Sequence, residues 1–349
     1  MEWHCFAKGL LRLSLCAVLA SICPGEGSAA PARLAHVRIE VPSATNLQFL
    51  ALWVAVGSGA FEKQGLQPKI LVAAAPRTVG DMLLRGDADV ALLPPPMFLG
   101  MMAEDKPIRL FASLLANEPI NLVLQKDMAE MRNFPSNGSL REKLSTLKGL
   151  KVGLAGEVAP RLRALFAAAG LDAEKQLTLV TIAGPQQTKA FATRKVDLLF
   201  AHTPYLEQAM VEHGAVLVVN ASNGEIPTLA DGQIHALATT RATIRQNPQL
   251  IEKVTRAIYE AEQLIHSDSK SALDALMASG ASQSDRRLIG AILAVYAPAV
   301  PGTPKISVAG IERDRVLYPA HPRAPDFATV RAADFVSSQF AEAAVAVQH

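Results

Sequence analysis

The chain has 349 residues, 50% of them hydrophobic and only 5% aromatic, which is enough for about two domains. With 34 basic and 32 acidic residues the formal net charge is +2, and no basic stripe with interleaved aromatics is present, which speaks against nucleic acid as a partner. All three cysteines (Cys5, Cys16, Cys23) lie near the start, so the rest of the chain has no disulfide, thiol nucleophile or cysteine-bound metal.

Lys8 and Arg12 precede "LSLCAVLASI", an apolar run too short for a bilayer span but suited to a signal-peptide core. Small residues follow, so residues 1–30 read as a signal peptide cut near Ala29, Ala30 or Ala32. The alternative is a lipoprotein signal ending before Cys23, although Ile22 is bulky for that role. Either reading predicts export to the periplasm, free in one case and lipid-anchored through Cys23 in the other.

Strand and helix signals then alternate. "HVRIEV" (36–41) and "PKILVAA" (68–74) are strand-like, and "FLALWVAVGSGAFEKQG" (49–65) has helical spacing. "RTVGDMLLRGD" (77–87) is a short helix before the strand "DVALL" (89–93). The order returns in "LKVGLAG" (150–156), "APRLRALFAAAGLD" (159–172), "LTLVTIA" (177–183), "QQTKAFATRKV" (186–196) and "DLLFA" (197–201). Two parallel-stranded α/β lobes follow from this repeat. Ligands of such sheets bind beyond the carboxyl ends of the strands, where Pro94, Pro95 and Pro96 stop one copy and "HTP" (202–204) stops the other. The prolines equally suit plain helix starts. Asp89 and Asp197 begin strands, away from that end, and read as local caps.

Six stretches carry a family resemblance: "VGSGAFEKQGLQPKILVA", "MLLRGDADVALLPPP", "LSTLKGLKVGLAG", "LFAAAGLDAEKQLTLVTI", "AFATRKVDLLFAHTPYLEQA" and "TRATIRQNPQLIEKVTRAIYEAEQLI". In this order the chain resembles substrate-binding proteins of ABC importers, of the nitrate/sulfonate/taurine and thiamine-precursor type. The resemblance implies a two-lobed periplasmic-binding-protein fold (type II), with lobe I at 33–119 and 245–349 and lobe II at 120–244. It implies two hinge strands, "INLVLQK" (120–126) and an antiparallel return "IHALATT" (234–240). The expected function is capture of a small organic molecule between the lobes and delivery to an ABC permease in the inner membrane. A monomer without cofactor or metal is expected, and no catalysis. The alternatives are a ligand-sensing module of this fold and an enzyme of the thiamine-precursor-synthase kind. The proline-rich stretch 298–325 matches the family weakly.

Strand ends and helix starts nominate the ligand contacts. In the first lobe these are Thr45, Asn46, Arg77, Thr78, Pro94 and Pro95, with Asn117 and Glu118 before the first hinge strand. In the second they are Gly156, Glu157, Val158, Arg161, His202 and Thr203. Backbone N–H groups at helix starts can hold an anion, and hydroxyls and amides can orient a ligand. Arg77 and Arg161 favour an anion, Glu118 and Glu157 an amine, so the ligand's charge stays open. Trp53 and Tyr205 suit either stacking or the core.

Overall fold

A computed structural model describes residues 34–281, 285–318 and 330–346; the expected signal peptide and Cys23 lie outside them. The apolar runs become ten strands: β1 (Ala35–Val41), β2 (Leu66–Val72), β3 (Val90–Leu93), β4 (Ile108–Leu115), β5 (Asn121–Leu124), β6 (Lys151–Leu154), β7 (Thr178–Thr181), β8 (Leu198–Ala201), β9 (Val216–Val219) and β10 (His235–Thr240). They form two five-stranded sheets, ordered β2-β1-β3-β10-β4 and β7-β6-β8-β5-β9. In the first, β1 runs parallel to β2 and β3, and β10 enters antiparallel between β3 and β4. In the second, β6 runs parallel to β7 and β8, and β5 enters antiparallel between β8 and β9. The sequence repeat is therefore a repeat of topology, and its central strands β3 and β8 are wholly buried, as their unbroken apolar runs require.

The two aspartates do the same thing in both halves. Asp89 accepts the Arg38 backbone N–H on β1 at 2.8 Å, and its own N–H returns to the Arg38 carbonyl at 2.9 Å. Asp197 accepts the Lys151 N–H on β6 at 2.9 Å and donates back at 2.9 Å. Each fastens its strand to the neighbouring one, so the expectation of a cap within a local turn is corrected.

The hinge expectation is also corrected. The two nominated strands do not pair with each other: β5 belongs to the second sheet and β10 to the first. The crossings are the segments around 116–120 and 220–234. A boundary that follows hydrogen bonding gives β10 to lobe I, ahead of the expected change at residue 245. The reason is that β10 is as apolar as a hinge strand but is completely enclosed between β3 and β4.

The proline-rich stretch has a role in the first sheet. The outer edge of β4 donates from Ser113 N–H to the Pro304 carbonyl and is followed by Ala116 N–H to the Ala299 carbonyl, both at 2.9 Å. Proline carbonyls accept normally, so a chain poor in N–H donors still covers an edge strand.

Pro94 caps the helix Pro95–Ala103 with extended backbone, and its carbonyl accepts from Met97 and Phe98. Glycine matters most where two helices touch. A Cβ on Gly57, at the end of the helix Leu50–Gly57, would lie 1.8 Å from the Ala275 carbonyl oxygen of the helix Ser269–Ala278. Gly57→Ala is expected to cost about 1–3 kcal/mol by overpacking, read as a lower urea midpoint at unchanged slope. An unchanged midpoint would mean that the helices separate freely.

Among the described residues no helix is long and apolar enough to cross a membrane.

Candidate functional site at the junction of the two sheets

The two crossings are bound to each other before any ligand contact is considered. Asn117 donates from Nδ2 to the Ser222 carbonyl at 3.1 Å and accepts the Asp231 N–H at 3.1 Å. Asn121 Nδ2 donates to Ser222 Oγ at 3.0 Å, and that hydroxyl donates to the Glu118 carbonyl at 3.1 Å. Asn117, nominated as a ligand contact, thus spends its amide on joining the outgoing and returning chain.

Beside this tie sits a buried ionic group. Glu118 is fully buried and Arg161 is 8% exposed. Arg161 Nη1 lies 3.3 Å from Glu118 Oε1, and the Tyr318 hydroxyl donates to Glu118 Oε2 at 3.1 Å. The Ile120 N–H adds a third donor at 3.1 Å. The Arg161 guanidinium also stands 4.9 Å over the Tyr318 ring. Burial raises the Glu118 pKa, and Arg161, Tyr318 and the Ile120 amide oppose the rise. Arg161 and the carboxylate stand at ion-pair distance. Arg161 and Glu118 were nominated for ligands of opposite charge; they neutralise each other instead.

A second group is neutral. Tyr296 Oη donates to the Pro119 carbonyl at 3.0 Å and accepts the Thr203 N–H at 2.9 Å, so one phenol joins a crossing to the turn after β8. Gln48, in the turn after β1, reaches the Pro119 carbonyl at 3.4 Å and the His235 Nε2 at 3.3 Å. Burial lowers the His235 pKa to about 3, helped by His202 and Arg161, so its ring is neutral. Burial also lowers the His202 pKa, while its contact with the Thr203 carbonyl works the other way. Two polar atoms in this group, Thr203 Oγ1 and His235 Nδ1, are buried without a hydrogen-bond partner. Behind Thr203, the Glu207 carboxyl is fully buried and burial raises its pKa to about 7.

The remaining nominated residues are placed as follows. Thr45 is exposed beside Ser43, and Asn46 folds back on Gln48 N–H at 2.9 Å. The Thr78 hydroxyl serves its own turn, donating to the Ala75 carbonyl at 2.9 Å, and Arg77 is exposed. Pro94 is half-buried and Pro95 is buried as the first residue of its helix. Gly156 and Glu157 are exposed, with the Glu157 charge felt by both Arg161 and His202, whereas Val158 is 5% exposed and belongs to the second hydrophobic core. Trp53 is 2% exposed with its indole N–H on the Asn46 carbonyl, so it is a core residue. Tyr205 packs over Gly184 within the second half.

Sequence reasoning passed over Gln48, His235, Tyr296 and Tyr318. A polar residue inside an apolar run was the available signal for Gln48 and His235. The two tyrosines lie in segments far along the chain, where nothing local marks them. Among the described residues no three His, Cys, Asp or Glu side chains are grouped to hold a metal ion.

The fold has solved relatives. A protein from Bordetella bronchiseptica RB50 is 20% identical with TM-score 0.64, covering 90% of this chain and 98% of that one. The alkanesulfonate-binding protein SsuA from Xanthomonas axonopodis pv. citri, bound to MOPS, is 17% identical with TM-score 0.59, covering 89% and 100%. The desulfurization enzyme DszB is 14% identical with TM-score 0.60, covering 90% and 100%. At these identities the likeness is one of fold, the two-lobed fold of periplasmic binding proteins. No curated protein sequence matches. The profile of the NMT1-like family matches residues 40–279, more than half of the chain, and the chain belongs to that family.

Proposed function

We propose that the protein is an exported solute-binding protein. It captures a small organic molecule between its two lobes and passes it, as a monomer, to an ABC permease in the inner membrane. Lobe I comprises residue 33 to the first crossing and the chain from β10 onward; lobe II is the chain between. The observation that carries this reading is the buried polar junction, where both lobes contribute and Thr203 Oγ1 and His235 Nδ1 lack partners. A buried hydroxyl or ring nitrogen without a partner costs free energy that a ligand's hydrogen bond would restore. The solute-binding SsuA relative of the same fold supports the role. Arg161 is already neutralised, so the ligand meets neutral donors and acceptors from Gln48, His202, Thr203 and His235. An enzyme also shares the fold, which makes turnover the competing outcome.

The test is a thermal-shift screen of alkanesulfonates, nitrate and aminopyrimidines, followed by calorimetry and small-angle scattering on the best compound. A compound at a hundredfold excess over Kd should stabilise the protein by about 2.7 kcal/mol. The radius of gyration should fall, because only the closed form touches the ligand with both lobes. Thr203→Val should weaken binding by about 0.5–1.5 kcal/mol and leave the melting temperature unchanged or higher. Binding without closure would overturn the mechanism, normal affinity of the variant would remove Thr203 from the site, and chemically altered compound would make the protein an enzyme.

A further inference from the structure

Away from the junction, an open groove of about 650 Å³ is lined by Arg38, Arg85, Arg241 and Arg245, with Asp89 as its one acidic residue. It lies at the amino-terminal end of β3, beside Arg38 in the middle of β1. There Arg38 bonds to Asp89 just ahead of β3, and Thr240 ends the antiparallel β10 opposite Ile108 at the start of β4. Arg241 also lines a neighbouring groove with Arg109, Arg331, Asp105 and Asp334. Together the two linings carry six arginines against three aspartates, with a fourth, Asp87, beside Arg85. The whole chain, by comparison, has a formal net charge of +2.

The arginines are unequally paired. Arg38 is held by Asp89 at 2.7 Å and Arg85 by Asp87 at 3.0 Å. Arg241 has Asp105 only at 3.9 Å, and its Nε is buried without a partner. Arg245 is exposed, with no hydrogen bond or ion pair among the described residues. Arg109 donates to the Ile108 carbonyl and lies 5.8 Å from the Phe335 ring centre. Planar guanidiniums with free N–H groups match phosphate oxygens in pairs.

A second observation selects the source of the phosphate. The described residues begin at Leu34, one residue ahead of β1, and so at this same end of the sheet. Thirty-three residues, including the apolar run and Cys23, precede it.

We propose that this arginine-lined face rests on a membrane surface and binds the phosphate groups of anionic phospholipids. Each arginine near such a surface contributes several-fold to partition, and the attraction is screened within a Debye length. The face lies at the end of the sheet opposite the carboxyl ends that border the junction, so occupying it leaves the proposed solute site alone.

The test is flotation of the exported, leader-free protein with vesicles of phosphatidylcholine alone or with about 30% phosphatidylglycerol. Partition should rise about tenfold or more on the anionic vesicles and fall back in high salt. Arg241→Gln with Arg245→Gln should remove most of the gain at an unchanged melting temperature. Lys143→Gln with Lys175→Gln, on the other half of the chain, should leave it intact. Equal binding to both vesicles, or variants that bind like the parent, would overturn the proposal. Protection from unfolding by inorganic phosphate without vesicle binding would also overturn it, making the groove a site for a soluble phosphate compound.

Discussion

Arg161→Met is expected to lower stability by about 3–5 kcal/mol, the usual result of leaving one member of a buried ion pair alone. Methionine restores most of the volume but offers Glu118 no donor. Tyr318 and the Ile120 amide would remain as its partners. Glu118 can escape by taking up a proton, so the loss should be smaller at pH 5 than at pH 8. Urea unfolding at both values reads this directly. The double variant Arg161→Met, Glu118→Gln should recover part of the loss, because no buried charge is then left unpaired. A loss below about 1 kcal/mol at pH 8 would mean that water reaches the pair in solution.

Glu207→Gln should act in the opposite direction. Burial lifts this carboxyl from an ordinary value of 4.5 to about 7, with its own backbone amide opposing. The folded protein therefore holds the proton more tightly than the unfolded chain does. Its contribution to stability is complete below pH 4.5, declines as the pH rises towards 7, and is lost above that. The size of the effect is about 3 kcal/mol, from 1.4 kcal/mol per tenfold difference in proton affinity. Glutamine never ionises, so the variant should be more stable than the parent at pH 8 by about 2–3 kcal/mol and equal to it near pH 4. Asp314, raised to about 7 by burial, slopes the same way and keeps some pH dependence in the variant. Identical profiles for parent and variant would show that Glu207 is hydrated.

The strands were legible because a buried strand writes itself as an apolar run, and the repeat because both halves use one topology. The helix starts at Pro95 and Ala159 were legible for the same local reason, proline early in the helix. Partnership was not legible. Arg161 and Glu118 are 43 residues apart, and Tyr318 joins Glu118 from 200 residues away. Each was readable as a charge or a phenol, yet only the fold shows that they satisfy one another. Thr78 and Thr203 looked alike as hydroxyls at helix starts. One is consumed by its own turn, and the other is buried without a partner. The difference lies in how closely the crossings and Tyr296 pack over the second turn, which no local pattern encodes. The hinge strands misled for a related reason: an apolar strand in the middle of a sheet and one in a hinge have the same composition.

The exchange of β5 and β10 has a consequence for how the chain is made. The second sheet needs only residues 121–219, a continuous stretch, and all five of its strands are available once β9 has emerged. The first sheet cannot close at that point. Its β3 and β4 must wait for β10, which starts at His235 and fills the gap between them. Until then two apolar strand edges face an empty slot, the arrangement most prone to pairing with the wrong chain. The earlier half by sequence is thus the later half to finish. Any chain ending before residue 235 would keep a whole second sheet and an open, sticky first one.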